Sequence, residues 1–146
     1  MLIRPLLLAI IFATPLLYTR WRKGKWHASI SEIYYEEDLR IIWKFTLIAV
    51  AYTLSTYDNI LLDWAAVSIL GVGIFPEINK PNIKKIHDTF AISFFFMIGW
   101  YCHPILVLIM GVLFGLGYRF VTIYWLEWIG MAIILTGLTL KEYAVI

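Results

Sequence analysis

Residues 71–100 read GVGIFPEINKPNIKKIHDTFAISFFFMIGW, and this stretch decides the fold. An apolar run ends at Phe75-Pro76, a short polar and basic segment follows, and a second apolar run begins at His87-Asp88. Apolar runs that meet at a basic loop are typical of membrane helices joined at the membrane surface. The stretch therefore predicts a helical hairpin in a membrane, with a His-Asp pair where its second helix begins.

The composition of the whole chain favours a membrane protein. Its 146 residues are 62% hydrophobic and 15% charged, with a mean hydropathy of +0.80. Soluble domains are about 45–50% apolar and about 25% charged. A soluble fold of this length has too little interior to bury so much apolar surface, so lipid must cover part of it. We expect one transmembrane domain across residues 1–146 and no separate soluble domain.

Apolar segments on either side of the central hairpin predict an all-α bundle of six membrane spans with short loops. One interfacial segment is expected at about residues 26–38, because Trp26, Tyr34 and Tyr35 bring amphipathic rings that suit the headgroup layer. The spans are expected at about residues 2–19, 41–56, 60–76, 87–102, 105–117 and 120–140.

The first apolar segment also has features of a secretory signal peptide, since Arg4 precedes an apolar core. No small-x-small cleavage pattern follows that core, which favours a membrane span instead. Pro15 is compatible with this prediction, because neighbouring helices can satisfy the carbonyl that a proline frees in a membrane helix.

The basic residues predict the orientation of the spans. Six spans place the loops at residues 20–40, 77–86 and 117–119 on one side, and these loops hold nine of the twelve Lys and Arg residues. Arg4 and Lys141 lie on the other side. Lys and Arg are enriched in cytoplasmic loops. We therefore expect these loops to be cytoplasmic and both termini to lie outside.

The same basic residues suggest a partner. Anionic headgroups of the cytoplasmic leaflet attract Lys and Arg that cluster near the membrane surface. No soluble nucleic-acid-binding fold accompanies these residues, so membrane lipids are the expected partner and nucleic acid is not. The candidate headgroup-binding residues are Arg20, Arg22, Lys23, Lys25, Lys80, Lys84 and Lys85.

His87 and Asp88 have two interpretations. A carboxylate beside an imidazole can orient the ring and stabilise its charged form, which is the arrangement of a polar site. Alternatively, the pair marks the start of a helix, since Asp favours the first helical turn. The sequence leaves both interpretations open.

Lys44, Asp63 and Glu127 are expected inside spans. A charge in hydrocarbon is costly, so such residues usually face the protein interior and have partners there. We expect Glu127 to face the interior of the bundle and to pair with Lys44 or with a polar group near it. Asp63 is expected near Asp58 and His103. These contacts either fix helix packing or form a polar headgroup pocket or a proton path.

The sequence does not favour a metal site or a cofactor. Cys102 is the only cysteine, which excludes an intrachain disulfide and a cysteine-based metal site. His87 and His103 are sixteen residues apart, roughly 24 Å along a helix, and therefore cannot share one zinc ion. His27 could approach His87, but no spacing requires it. The chain also has no Walker loop and no dinucleotide glycine pattern.

The first loop contains Ser29-Ile30-Ser31-Glu32. The spacing from Ser29 to Glu32 fits a capping box at the start of a helix. No GxSxG elbow surrounds either serine, which favours a capping or turn role over a nucleophile.

The order of features resembles a known family. A first span is followed by the loop with Ser31-Glu32, a hairpin with Asp58 or Asp63, then Ile74-Phe75-Pro76, and then His87 ahead of the segment FAISFF. This order resembles the FRAG/DRAM/SFK family of six-span membrane proteins and its uncharacterised bacterial relatives, over roughly residues 1–140. The resemblance implies a six-helix bundle connected with membrane lipids, as in the family's GPI-anchor remodelling member. It singles out Ser31, Glu32, Asp63 and His87.

Two functional interpretations follow. The first is a protein that binds or remodels membrane lipids at a polar site near the start of the fourth span. The second is a non-catalytic structural or accessory subunit of a larger membrane complex, or a homo-oligomer, which short loops and many aromatic residues suit equally well. The sequence does not decide whether the protein is an enzyme. Candidates for the polar site are Ser31, Glu32, Lys44, Asp63, His87, Asp88 and Glu127.

Overall fold

A computed structural model describes residues 3–24, 34–37, 39–76, 80–117 and 123–143, with only the backbone at residues 123 and 124. Within these ranges the chain forms six α-helices and no strand, which confirms the predicted all-α fold for this part of the chain. The helices are α1 (Ile3–Lys23), α2 (Arg40–Ser55), α3 (Ile60–Ile74), α4 (Pro81–Cys102), α5 (Pro104–Gly117) and α6 (Ile123–Glu142).

Local chemistry explains where two of these helices begin. The side chain of Asn59 accepts a hydrogen bond from the backbone N–H of Leu61 at 3.0 Å, which caps the N-terminus of α3. His103 has an extended backbone, and its Nδ1 accepts from the N–H of Ile105 at 3.3 Å. His103 therefore separates α4 from α5 and caps the second of them.

Helix α4 begins earlier than the sequence predicts. Its first residue is Pro81 rather than His87, because proline at the first helical position has a backbone angle already suited to a helix. The predicted loop at residues 77–86 is therefore wrong in its second half. Lys84 and Lys85 lie on the first turns of α4, where both are exposed.

The helices form a ring. Helix α1 packs against α2, α2 against α3, and α3 against α4, while α6 packs against both α4 and α1 and closes the ring. Helix α5 lies outside, against α4 and α6. The core inside the ring contains Phe12, Trp43, Phe94 and Met131, all buried. Of the residues of α5, only Met110 is buried.

Helices that are consecutive in the chain run in opposite directions, so α4 and α6 run in the same direction and the bundle has two distinct ends. At one end, Lys23 forms an ion pair with Glu36 at 3.2 Å, and the Tyr35 hydroxyl donates to the Pro76 carbonyl at 3.4 Å. This end carries the basic residues that end α1 and open α4, and we call it the basic end. At the opposite end, the guanidinium of Arg4 lies 4.8 Å from the centre of the Tyr57 ring.

The outer surface of the bundle is apolar on several helices. Phe45 on α2 is 67% exposed, Ile92 on α4 is 68% exposed and Leu108 on α5 is 68% exposed. Among the helices described, α1 alone is long and apolar enough to cross a membrane by itself, and it lies near the N-terminus. Helices α3 and α5 are apolar but have only 15 and 14 residues. This is weak support for a membrane protein and does not by itself establish six spans.

Gly71 tests the packing of α3 against α4. A Cβ atom at Gly71 would lie 2.5 Å from the ring of Phe90, so Gly71→Ala has to force the two helices apart. We expect a loss of about 1–3 kcal/mol, typical of overpacking. Thermal unfolding in a mild detergent measures the loss.

Gly111 on α5 provides the matched control for this substitution. A Cβ atom there meets nothing within 4 Å, so Gly111→Ala should be neutral or should stabilise the helix by up to about 1 kcal/mol. If the two alanine variants unfold at the same temperature, the close packing at Gly71 is contradicted.

Candidate functional site

A cleft of about 450 Å³ lies at the basic end, between α2, the end of α3 and the start of α4. We call it the basic-end cleft. Its walls are mainly apolar, and Lys44 is the one charged residue among the lining residues that the structure describes. The lining consists of Tyr34, Lys44, Leu47, Ile48, Leu70, Gly73, Ile74, Phe75, Pro76 and Ile83.

Tyr34 and Lys44 form the polar part of the lining, and Arg40 lies beside them. The Arg40 guanidinium lies 5.0 Å from the centre of the Tyr34 ring, and the Lys44 ammonium lies 5.8 Å from it. Arg40 Nε also donates to the backbone carbonyl of Tyr34 at 3.2 Å. Residues four apart on a helix share a face, so Arg40 and Lys44 both reach the same ring. Each such cation–π contact contributes about 0.5–1 kcal/mol at an exposed site.

His87 holds the corner that forms one wall of the cleft. It is 4% exposed, and its Nδ1 lies 2.9 Å from the backbone carbonyl oxygen of Phe75. A carbonyl oxygen only accepts hydrogen bonds, so Nδ1 carries the proton and donates it. From the other side, the Tyr35 hydroxyl donates to the carbonyl of Pro76. The turn at Phe75-Pro76 is therefore fixed by side chains from two other parts of the chain.

The ring of Phe75 adds an apolar contact to this corner. It stacks on Phe90 with ring centres 5.9 Å apart and an angle of 8° between the planes. Phe90 in turn packs against Gly71, one turn before the corner. His87 and Phe90 lie three residues apart on α4, so one helix face supplies both the hydrogen bond and the stacked ring.

Asp88 forms no hydrogen bond with His87 among the described residues, although its charge lies close enough to act on the imidazole. Its carboxylate forms an ion pair with Lys84 Nζ at 2.9 Å, an exposed i,i+4 contact within α4. Successive residues of a helix point about 100° apart, which carries Asp88 to the surface while His87 is buried. The alternative interpretation as a helix start is wrong, because α4 begins at Pro81.

Glu127 faces the interior of the ring, as predicted. It lines a cavity of about 40 Å³ together with residues of α1, α2, α3, α4 and α6, including Phe12, Trp43 and Met131. The expected partner was Lys44 or a polar group near it, and the described residues contain no ion pair between Glu127 and Lys44. Trp43 occupies the interior side of α2, whereas Lys44 is exposed and contacts Tyr34.

Asp63 lies far from the cleft. It is exposed in the first turn of α3, where a carboxylate interacts favourably with the helix N-terminus. Twelve residues separate it from Phe75, which is roughly 18 Å along a helix. The structure therefore does not bring Asp63 and His87 together. Ser31, Glu32 and Lys25 lie outside the described residues.

The predicted headgroup-binding residues that the structure describes gather at the basic end. Arg22 donates to the Tyr18 hydroxyl at 3.2 Å, and Arg20 donates to the carbonyl of Gly24. Lys23 pairs with Glu36. Lys80, Lys84 and Lys85 are exposed around the start of α4.

No metal centre is present among the described residues, since no three His, Cys, Asp or Glu side chains there are close enough to hold an ion. His27 and Glu32, two of the candidates considered for such a site, lie outside those residues.

Sequence reasoning missed Tyr34 and Arg40 as site residues. Tyr34 was assigned to the headgroup layer and Arg40 to a loop. Their contact crosses the turn before α2, so no single periodic pattern contains it. A signal was nevertheless present, because Arg40 and Lys44 are four residues apart and follow closely on a tyrosine pair.

His87 gives a test of this site. His87→Leu removes the donor to the Phe75 carbonyl, which should cost about 1–3 kcal/mol of stability. His87→Asn keeps an N–H near the position of Nδ1 and should recover part of the loss. Thermal unfolding in detergent measures both variants. If His87→Leu is as stable as the wild type, the hydrogen bond does not hold the corner.

The chain matches no protein-family model, no curated protein and no solved structure. The resemblance to the FRAG/DRAM/SFK family therefore stays a prediction, and the function has to be inferred from the basic-end cleft itself.

Proposed function

We propose that this chain is a multi-pass membrane protein of six spans whose basic-end cleft binds an anionic membrane lipid. The observation that carries the proposal is the composition of the cleft, which combines apolar walls with Lys44 and the neighbouring Arg40 at one tyrosine ring. An anionic lipid has the matching chemistry, with apolar chains and a charged phosphate.

Exposed apolar side chains support the membrane part of this proposal. They lie on the outward faces of α1 to α5, with Ile3 at 73%, Tyr52 at 73% and Trp64 at 55% exposure as examples. Large exposed apolar side chains on five helices favour a membrane or protein contact. Shorter helices such as α3 can be accommodated by local thinning of the bilayer or by long side chains that reach the interface.

The size and walls of the cleft support the binding of a lipid. A volume of about 450 Å³ lies within the range of small-molecule sites. Leu47, Ile48 and Ile74 offer an apolar surface for part of an acyl chain. The opening lies at the end of the bundle that carries most of the basic residues, which by the distribution of Lys and Arg is the cytoplasmic face.

Lys44 and Arg40 are the proposed headgroup ligands. Both keep their cationic groups at the Tyr34 ring, so little side-chain freedom is left to lose when a phosphate binds. Arg provides a planar fork for phosphate oxygens, and Lys provides a point charge. His87 is a positioning residue in this proposal, because it holds the Phe75-Pro76 wall through a backbone carbonyl. The described lining contains no nucleophile with an adjacent base, so binding is the activity proposed.

The lipid proposal is tested with Lys44→Met. Binding of phosphatidylglycerol and phosphatidylcholine to the purified protein is measured by native mass spectrometry. Loss of one phosphate contact of about 1 kcal/mol should weaken phosphatidylglycerol binding about five-fold and leave phosphatidylcholine nearly unchanged. Lys141→Met makes the same change of charge at the opposite end and should have no such effect. Equal loss in both variants would mean that net charge, not the cleft, attracts the lipid.

A second pair of variants tests the apolar walls. Ile48→Trp places a large ring in the cleft, whereas Ile92→Trp places the same ring on the outer face of α4. Only Ile48→Trp should reduce the amount of lipid that co-purifies with the protein. If both variants retain lipid equally, the cleft is not the binding site.

The membrane topology is tested by labelling single cysteines from each side of the membrane. Cys102 is buried and is first replaced by serine. Cysteines at Lys84 and Lys141 should then react from opposite sides, because three spans, an odd number, lie between these two positions in the proposed topology. Labelling of both from the same side would overturn the six-span proposal.

A structural subunit of a larger membrane complex is the second candidate function, and helix α5 favours it. Met110 is its one buried residue, and Val112 and Leu116 are 60% and 63% exposed. A partner helix could cover this face as well as lipid can. Purification in a mild detergent separates the two functions: a stable co-purifying protein supports the subunit, and a co-purifying phospholipid supports the cleft.

A further inference from the structure

Within the six described helices, each exposed tryptophan or tyrosine lies near a helix end. Trp21, Tyr52 and Trp100 lie within four residues of the C-termini of α1, α2 and α4. Trp64 and Trp125 lie within four residues of the N-termini of α3 and α6. Tryptophan and tyrosine are enriched at the interfaces of a bilayer, whereas aliphatic residues suit its hydrocarbon core. Both ends of the bundle therefore have the composition of a membrane interface.

Charged and polar residues mark the borders of the exposed apolar surface, which we call the apolar band. On α1, Arg4 and Arg20 are exposed and sixteen residues apart, which is roughly 24 Å along a helix. On α4, Asp88 and His103 are fifteen residues apart, which is roughly 22 Å. Two helices from different parts of the ring therefore give nearly the same height for the band.

The other helices agree with this height. Helices α2, α3 and α5 have 16, 15 and 14 residues and are therefore roughly 21–24 Å long. On α6, Trp125 and Lys141 are again sixteen residues apart. The exposed charges of α2 and α3 lie close to a border, since Lys44 is the fifth residue of α2 and Asp63 the fourth of α3. The band is thus short all around the bundle and not on one helix alone.

Exposed hydroxyl groups inside the band have partners within their own helix. Thr14 donates to the Ile10 carbonyl at 2.7 Å, and Thr136 donates to the Ala132 carbonyl at 2.8 Å. Polar groups in hydrocarbon must be satisfied inside the protein, because no water is present there. These two threonines are therefore compatible with lipid on the outside of the bundle.

A typical bilayer is thicker than the apolar band. Its hydrocarbon core measures about 30 Å, and a helix needs about 20 residues to cross it. When the apolar surface of a protein is shorter than the core, the bilayer thins around it or polar side chains reach out to the interface, and each Å of mismatch costs free energy. A tilt of the helices shortens their apolar surface further along the membrane normal.

We propose that the apolar band fits a bilayer whose hydrocarbon core is about 20–25 Å thick, so that the protein is most stable in a thin membrane. The inference rests on the membrane-spanning arrangement proposed above and adds the kind of bilayer that it fits. A six-span bundle with longer helices would match a core of about 30 Å equally well. The short borders on α1, α4 and α6 are what select the thinner one.

Labelling of single cysteines measures the height of the band. In a Cys102→Ser background, Asp88→Cys reports on the border at the basic end and Ser55→Cys on the border at the opposite end. Ile92→Cys lies inside the band, where Ile92 is 68% exposed on the protein itself. The purified variants are reconstituted in phosphatidylcholine with 18-carbon chains and treated with a water-soluble maleimide. Both border variants should react, and Ile92→Cys should not.

The outcomes separate this inference from the arrangement on which it rests. Reaction of Ile92→Cys would mean that lipid does not cover the band, which contradicts both. An unreactive Ile92→Cys together with an unreactive border variant would mean that the bundle spans a core of ordinary thickness. That result overturns the thin-bilayer proposal and leaves the membrane-spanning arrangement in place.

The melting temperature of the wild type gives a second test. It is measured in nanodiscs of phosphatidylcholine with monounsaturated chains of 14, 18 and 22 carbons. Mismatch with the band increases with chain length, so the melting temperature should be highest with 14 carbons and lower by about 3 °C or more with 22 carbons. A melting temperature that is not highest with the shortest chains would overturn the proposal.

Discussion

Helix α3 can approach α4 closely at one point because Gly71 has no side chain, and the ring of Phe90 lies where a Cβ atom would be. The rest of the basic end depends on this contact. Phe90 stacks on Phe75 at the end of α3, and one turn earlier on α4 His87 donates to the carbonyl of the same residue. The Phe75-Pro76 corner is thus built from α4, and the corner forms a wall of the basic-end cleft.

The number and kind of the helices could be predicted from the sequence, because apolar runs separated by Asn59, by Pro104 and by the basic segment mark each helix and its ends. The start of α4 could not be placed by hydrophobicity, since its first two turns are polar and basic. The signal there was Pro81, which favours a first helical position regardless of polarity. Because α4 begins at Pro81, Lys84 and Asp88 both lie within the helix. Their spacing of four residues then places them on one face, and the ion pair follows from helix geometry.

The candidate site was harder to predict because its contacts depend on which side of a helix each residue occupies. Glu127 faces the ring interior, as the cost of exposing a carboxylate to lipid suggested. The same reasoning failed for Lys44, because its long side chain carries the ammonium group to the Tyr34 ring at the surface and not into the core. Trp43 takes the interior position beside it. Tyr34 could not be assigned to the cleft from sequence, since its contacts with Arg40 and Lys44 exist only after the chain has turned into α2.

The two ends of the bundle differ in the side-chain contacts that they contain, and this difference favours the basic end as the binding end. At the opposite end, Arg4 and Lys141 lie over tyrosine rings contributed by other elements, so the first and last helices are both held to the middle of the chain. At the basic end, the contacts instead converge on the short segment at residues 34–37. Glu36 pairs with Lys23, the Tyr35 hydroxyl donates to the Pro76 carbonyl, and Arg40 donates to the carbonyl of Tyr34. These contacts place the Tyr34 ring beside Arg40 and Lys44 at the cleft, so the basic end presents cations next to an apolar cavity.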